Sequence, residues 1–399
     1  MARVQFDPLD PQLCTDPDAV FERLRNDAPV LSADIGGQRV WLVSRYADVA
    51  QLIADPKTTM NAPGSDVPTA YGDGPAATLW RNAISMMDPP QHGKARRIIS
   101  KPFSHRRVEG LRPLVSEVVA QSFVKISAAE FEATDLASEI PMRVICRFLG
   151  IPTSDWPKLQ AWTNDFLRIF VPNVSDAEEI NRVHTASQNF IDYFGALIDD
   201  RKRHPREDMT SDFVALIDKP NGITRLGLIG ALRGLLTAGF ETTAATISAM
   251  FLGFSRQPEQ LALLRQQPSL IPGAVDEFLR WETPVRLVVR YLGEDIVQHG
   301  VSLRAGEPCW LLVGSANHDP RQYKDPQSLD VARGVTDHYA FGGGRHFCVG
   351  AYLAKLELQL VLQQLISRCD HIELCCDTVA RRQNFQFPSI ESLRVALVN

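Results

Sequence analysis

The sequence predicts a mainly α protein with small β-sheets, an α+β fold, on three observations. Apolar residues recur at helical spacing over most of 106–265, and 223–254 runs 32 residues without a proline. Short extended segments cluster near the N-terminus and after residue 285.

Taken in order, DAVFERLRNDAPV reads as a helix, RVWLVS as a strand, and RYADVAQLIADP as a helix ending at Pro56. Residues 61–80 collect Gly, Pro, Ser and Asp and read as one long loop, a length that often serves function. The helical region is broken near Pro152, Pro172, His204-Pro205 and Lys219-Pro220-Asn221-Gly222. A helix over 269–281 precedes extended VRYLGE and CWLLVGSA, then an irregular stretch, a helix over 349–368, and short strands in the last thirty residues. No internal repeat or Gly/Ser linker divides the chain, so 1–399 is expected to be a single domain.

The 399 residues are 45% hydrophobic and 22% charged, with a formal net charge of −5. That balance excludes a general attraction to nucleic acid or anionic lipid. The N-terminus shows no basic-then-apolar leader, and no run approaches about 18 uninterrupted apolar residues, so no membrane partner and a cytoplasmic location are expected. The seven cysteines are odd in number and lack paired CxxC spacing, which fits a reducing compartment and argues against a zinc site. Adjacent Cys375 and Cys376 read as core or surface thiols.

Cys348 stands apart. Residues 340–356, AFGGGRHFCVGAYLAKL, place three glycines and a basic pair before a cysteine that is expected to open a helix. Backbone N–H groups at a helix start stabilise a thiolate, and glycine lets backbone approach a flat group closely. Three other readings stand beside a metal-ligating thiolate. The cysteine can be a small buried hydrophobe or a catalytic thiol, or the glycines can form a phosphate loop. The last lacks both the βαβ context and the Lys-Ser/Thr pair.

FGGGRHFCVG fits the pattern FxxGxxxCxG through Phe341, Gly344, Cys348 and Gly350, and thereby resembles the heme-binding signature of the cytochrome P-450 family. Three further segments resemble the family in the family's order. AGFETT, from Ala238 to Thr243, matches (A/G)Gx(D/E)T(T/S). Glu277 and Arg280 form ExxR, an i,i+3 pair on one helix face. MMDPPQHGKARR resembles DPPxHTxLR, with His92 and Arg96 on one face at i,i+4. Gly93 replaces the usual Thr or Ser, and Phe387-Pro388-Ser389-Ile390 stands where relatives carry an Arg-Gly-Leu-like turn.

The resemblance spans nearly the whole chain and is greatest to soluble bacterial members. It implies the family's fold, a long central helix over heme with small peripheral sheets. It implies heme b with Cys348 as axial iron ligand beside Phe341, and His92, Arg96, Arg290 and His346 as propionate and heme contacts. Glu241 and Thr242 inherit proton delivery to bound dioxygen, and Glu277, Arg280 and Arg333 a structural lock.

The implied reaction inserts one oxygen atom of dioxygen into an unactivated bond of a small or medium apolar substrate, aromatic or terpenoid-like. With no flavin or nicotinamide segment left over, electrons are expected from a separate ferredoxin and its reductase. Lys94, Arg97, Lys101, Arg345 and Lys355 are candidates for its docking patch. Substrate contacts are expected from 61–80, 166–170, Leu235, Ala238, Val285, Val288 and Phe387. Arg286 is a candidate for a substrate carboxylate or, alternatively, an internal salt bridge. The other function classes are a peroxide-driven heme-thiolate peroxygenase and a non-enzymatic heme sensor or carrier.

Overall fold

In the computed structural model, which describes residues 4–124, 126, 130–170, 176–217, 219–334 and 337–399, the chain divides into two units. One comprises Met1–Thr58, His105–Pro141 and Glu241–Asn399, the other Thr59–Ser104 and Met142–Phe240.

The first unit is built on a four-stranded sheet. Gly36 and Gly37 both lie at positive φ, 62° and 76°, the conformation a two-residue hairpin turn demands, and join Val30–Ile35 to Gln38–Val43 in antiparallel register from Val30↔Val43 to Ile35↔Gln38. Pro308–Leu311 adds in parallel through Trp41↔Cys309, and Val288–Tyr291 closes the order antiparallel through Arg290↔Cys309. Alternation along Gln38–Val43 sends Trp41 and Val43 into a core with Leu52, Ile53 and Leu311. Val40 and Leu42 enter another core with Phe21, Leu24 and Phe385. Three smaller sheets pair Glu130–Glu132, Arg394–Val398 and His371–Leu374, Ala380–Arg381 with Ile390–Ser392, and Ile296–Gln298 with Val301–Leu303. The helices Ile271–Trp281 and Ala351–Arg368 pack on each other.

The second unit is helical. Ala177–Arg203, capped by Asp176 accepting from the Glu178 N–H, packs against Trp156–Leu167 and Pro75–Arg81. Phe190 meets Trp162 edge-on at 5.7 Å and Phe166 at 6.5 Å.

The helix Arg225–Arg256 runs 32 residues. It is the one described helix long and apolar enough to cross a membrane, but 72% of its apolar window is buried inside the protein, as in a core helix. Near its start a Cβ at Gly230 would lie 2.4 Å from the Asn82 carbonyl oxygen, so only glycine lets the two backbones approach.

Four expectations are corrected. Val30–Ile35 is a strand that the helical reading of 18–30 partly absorbed; the helix ends at Asp27. The loop at 61–80 holds helical turns at Thr69–Tyr71 and Pro75–Arg81, the latter started by Pro75 at its first position, where a missing N–H costs nothing. CWLLVGSA is strand only to Leu311 and then turns into the helix Val313–Ala316. Cys348 does not open its helix: the cap is Gly350 and the helix begins at Ala351. The expected break at Pro172 lies outside the described residues.

Candidate functional site

Glycine geometry shapes the cysteine loop. Gly342 and Gly344 sit at φ 66° and 60°, and a Cβ at Gly344 would come within 2.6 Å of the Ile53 carbonyl oxygen. A Cβ at Gly343 would meet Ile53 Cγ2 at 2.9 Å, so the loop lies directly on the end of the helix Tyr46–Ala54. The Cys348 N–H donates to the Phe341 carbonyl at 2.9 Å, closing the loop, and Arg345 donates to the Pro56 carbonyl.

Of the seven cysteines Cys348 alone is exposed. Burial pushes the Cys146 and Cys309 thiols up to about 12 and Cys369 up to about 11, so those three are held protonated and inert. Among the described residues no three His, Cys, Asp or Glu side chains converge as a metal cluster. A single presented cysteine sulfur fits a metal whose remaining ligands come from its own macrocycle.

Phe341 lies against Phe347 at 6.1 Å and His338 at 5.8 Å, with the Lys355 ammonium 5.7 Å from its ring centroid. Lys355 Nζ is 2.6 Å and His338 Nε2 3.0 Å from Asp276 Oδ1. Burial opposes the Asp276 charge, but the His338 and Lys355 hydrogen bonds outweigh it and hold the carboxyl below its ordinary range. The loop is thereby tied to the helix Ile271–Trp281. Lys355 and Arg345, both expected in a docking patch, are part-exposed and also have internal partners.

The structure brings Glu277, Arg280 and Arg333 together. Arg280 Nε and Nη2 donate to Glu277 Oε2 and Oε1, both at 2.8 Å, and neither side chain has any exposure. Arg280 also donates to the carbonyls of Asn317 at 3.0 Å and Pro326 at 2.7 Å. Arg333 Nε reaches Glu277 Oε1 at 3.1 Å, and the Asp330 N–H reaches the same oxygen at 3.0 Å. Every donor and acceptor on this buried ion cluster is thus occupied, the condition under which such a cluster persists.

In the middle of the long helix Gly234, Ala238, Gly239, Glu241, Thr242 and Ala245 keep solvent access, and all but Gly239 follow a spacing of four, three, one and three that lines one helix face. Glu241 Oε2 lies 3.0 Å from Arg382 Nη1, on the turn between the strands Ala380–Arg381 and Ile390–Ser392. The Thr242 carbonyl accepts from Thr246 Oγ1 at 3.1 Å. Sequence reasoning missed Arg382, because 141 residues separate it from Glu241 and no local spacing links them.

Arg290 is buried in the strand Val288–Tyr291, with Nη1 donating to the Val289 carbonyl at 2.9 Å. His346 ends the turn Gly344–His346 and is half-buried. In the helical unit His92 is buried and Arg96 half-buried on one face of Gln91–Ile99, and Leu235 is buried beside the exposed Ala238. Val285, Val288 and Phe387 are half-buried, and the Phe387 N–H donates to Asn384 Oδ1 at 3.0 Å.

Arg286 is not presented to a ligand. Its Nη1 donates to the Cys14 carbonyl at 2.6 Å and its Nη2 lies 3.9 Å from Glu282, so the internal role stands in place of a substrate contact. Arg381 holds Glu282 from the other side at 2.7 Å. Burial raises the Glu282 carboxyl, but the Arg381 charge more than offsets it and keeps the group ionised.

A family model described as Cytochrome P450 matches residues 11–387. The chain is 35% identical over 347 residues to mycinamicin IV hydroxylase/epoxidase of Micromonospora griseorubida, covering 85% of this chain and 84% of that one. It is 32% identical over 373 residues to cytochrome P450 monooxygenase PikC of Streptomyces venezuelae, covering 92% and 87%. Among solved structures it superposes on P450BioI, in complex with acyl carrier protein ligated to hexadec-9Z-enoic acid, with TM-score 0.89 at 28% identity, covering 97% and 99%.

Proposed function

The chain belongs to the cytochrome P450 family, and from that membership we propose that it inserts one oxygen atom of dioxygen into an apolar organic substrate, with electrons from a separate ferredoxin and its reductase. It is an oxygen-incorporating oxidoreductase, its fold is the family's, and its cofactor is heme b. The observation that carries the assignment of residues is Cys348, the one exposed thiol, presented by a glycine loop that admits no side chain at Gly344.

In this reading Cys348 Sγ is the iron ligand, Phe341 packs beside it, and Arg290, His346, His92 and Arg96 hold the heme propionates. Bound heme supplies dioxygen binding and, with the thiolate's electron density, O–O cleavage. The Thr242 hydroxyl would pass a proton toward dioxygen, and Glu241 would relay its replacement from solvent through Oε1 while Arg382 holds Oε2. Glu277, Arg280 and Arg333 lock the segment that leads into the cysteine loop. Leu235, Ala238, Val285, Val288 and Phe387 exclude water around an apolar substrate of small or medium size. The whole of 1–399 acts as one cytoplasmic domain, with neither nucleic acid nor membrane as partner.

Isotope labelling tests the reaction. With a ferredoxin, its reductase and labelled dioxygen, one labelled atom is expected in product, and Thr242→Ala is expected to keep heme while releasing peroxide in place of product. Turnover with peroxide and none with ferredoxin would establish the peroxygenase instead. Heme uptake with no oxidation under either regime would establish the sensor.

A further inference from the structure

Arg233 stands on the long helix eight residues before Glu241, a little over two turns away, within the helical unit. It is 6% exposed. Its Nε is buried without a hydrogen-bond partner, and its guanidinium carbon lies 4.3 Å above the Phe166 ring. The other buried arginines each have a partner for at least one guanidinium nitrogen, although Arg25 Nε is, like Arg233 Nε, itself unpartnered, and Arg290 has the Val289 carbonyl. Arg201 has Asp208, Arg280 has Glu277, Arg25 has Ser315, and Arg286 has the Cys14 carbonyl. For Arg233 no acidic side chain among the described residues offsets burial, which alone pushes its pKa down to about 10 and still leaves the group charged at neutral pH.

A buried cation with an unsatisfied donor is costly to the fold, and such an arrangement persists where something outside the fold completes it. Phe166 covers one face of the guanidinium by a cation–π contact, which fixes its plane and leaves the N–H edge for a planar, two-oxygen acceptor. The neighbouring position on the helix is open. A Cβ built at Gly234, the next residue, meets no heavy atom within 4 Å, and Gly234 shares the solvent-accessible helix face with Ala238.

We propose that Arg233 is the anchor for a carboxylate on the substrate, so that the molecule oxidised is an organic acid with an apolar body. The proposal rests on the monooxygenase reading and deepens it by naming the substrate's class. It replaces Arg286, whose guanidinium is already engaged, as the acid-binding arginine. A neutral ester or a thioester carried on a protein has no carboxylate to offer and would leave Arg233 unsatisfied.

The test uses matched pairs on the ferric holoenzyme at neutral pH. The probes are straight-chain acids from octanoic to hexadecanoic acid, with 3-phenylpropanoic and 4-phenylbutanoic acid, each against its methyl ester. Binding is read by calorimetry and by the Soret shift. At least one acid is expected to bind roughly 10- to 100-fold tighter than its ester, as a charge-assisted bidentate contact provides. Arg233→Met is expected to abolish that preference while leaving the ester's affinity unchanged, and Arg233→Lys to restore part of it. The proposal is overturned if no acid outbinds its ester, or if the preference survives in Arg233→Met. The wild-type comparison stands even where a variant does not fold. The reduced carbon-monoxide spectrum of the same samples separates the two claims: a red-shifted band with acid and ester binding alike removes the carboxylate and keeps the monooxygenase.

Discussion

Glu241 Oε2 and Arg382 Nη1 lie 3.0 Å apart, joining the middle of the long helix to the turn that leads into Phe387. The contact engages one carboxylate oxygen, and in the proposed proton path the other is the one that relays protons. Arg382→Ala is expected to lower product formed per electron pair by roughly 3- to 10-fold, short of the 10²–10⁴ that proton transfer as a whole contributes. The lost electrons should appear as peroxide, with heme content unchanged. Product and peroxide measured against reductant consumed check this, and unchanged coupling would mean that the pair has no part in proton delivery.

Glu277 and Arg280 form a bidentate pair with no exposure, and Arg333 shares the same carboxylate. Glu277→Ala would leave two guanidinium groups without their anion. Breaking a buried pair in this way costs about 3–5 kcal/mol. Denaturant unfolding should show that loss together with reduced heme retention. A variant as stable as the wild type would show that the cluster is dispensable.

Gly344 combines φ 60° with a Cβ position 2.6 Å from the Ile53 carbonyl oxygen. Gly344→Ala is expected to destabilise the loop by about 1–3 kcal/mol, from the left-handed backbone and the clash together. Gly342→Ala meets only the first penalty, since its nearest atom is 3.9 Å away. Heme content and thermal unfolding of the two variants should rank Gly344→Ala below Gly342→Ala.

Apart from residues such as Arg333, which the family resemblance supplied and which meets Glu277 across 56 residues, the parts of this site legible in the sequence are those whose geometry is local. Glu277 and Arg280 are three residues apart on one helix, so their spacing alone sets them side by side. Glu241 and Thr242 are neighbours on a helix whose length shows in its unbroken apolar run. Arg382 reaches Glu241 across 141 residues and Arg345 reaches Pro56 across 289, and no periodicity encodes such meetings. The strand Val30–Ile35 was hidden for the same reason, since a strand is defined by its partner Gln38–Val43 rather than by its own residues. Arg233 reads in sequence as one more charge on a helix, and only burial shows that it lacks a counter-charge.

His318 is buried, with Nδ1 3.0 Å from the Gly314 carbonyl, and burial lowers its pKa from 6.5 to about 4. Between those values the unfolded chain takes up a proton that the folded protein refuses, so stability falls as pH drops from 6.5 to 4 and levels off below. The loss attributable to this group is about 3 kcal/mol. Urea unfolding from pH 7 to pH 4 should show that slope, and His318→Gln should flatten it; an equal slope in the variant would assign it to other groups.

Cys348 as the iron ligand is the claim on which the reaction, the proton path and the substrate anchor all depend. The ferrous carbon-monoxide spectrum of the purified holoprotein tests it most directly. A thiolate-type red-shifted Soret band is expected in the wild type and its loss in Cys348→His, while an unshifted wild-type band, or a red-shifted band that survives in Cys348→His, would contradict the assignment.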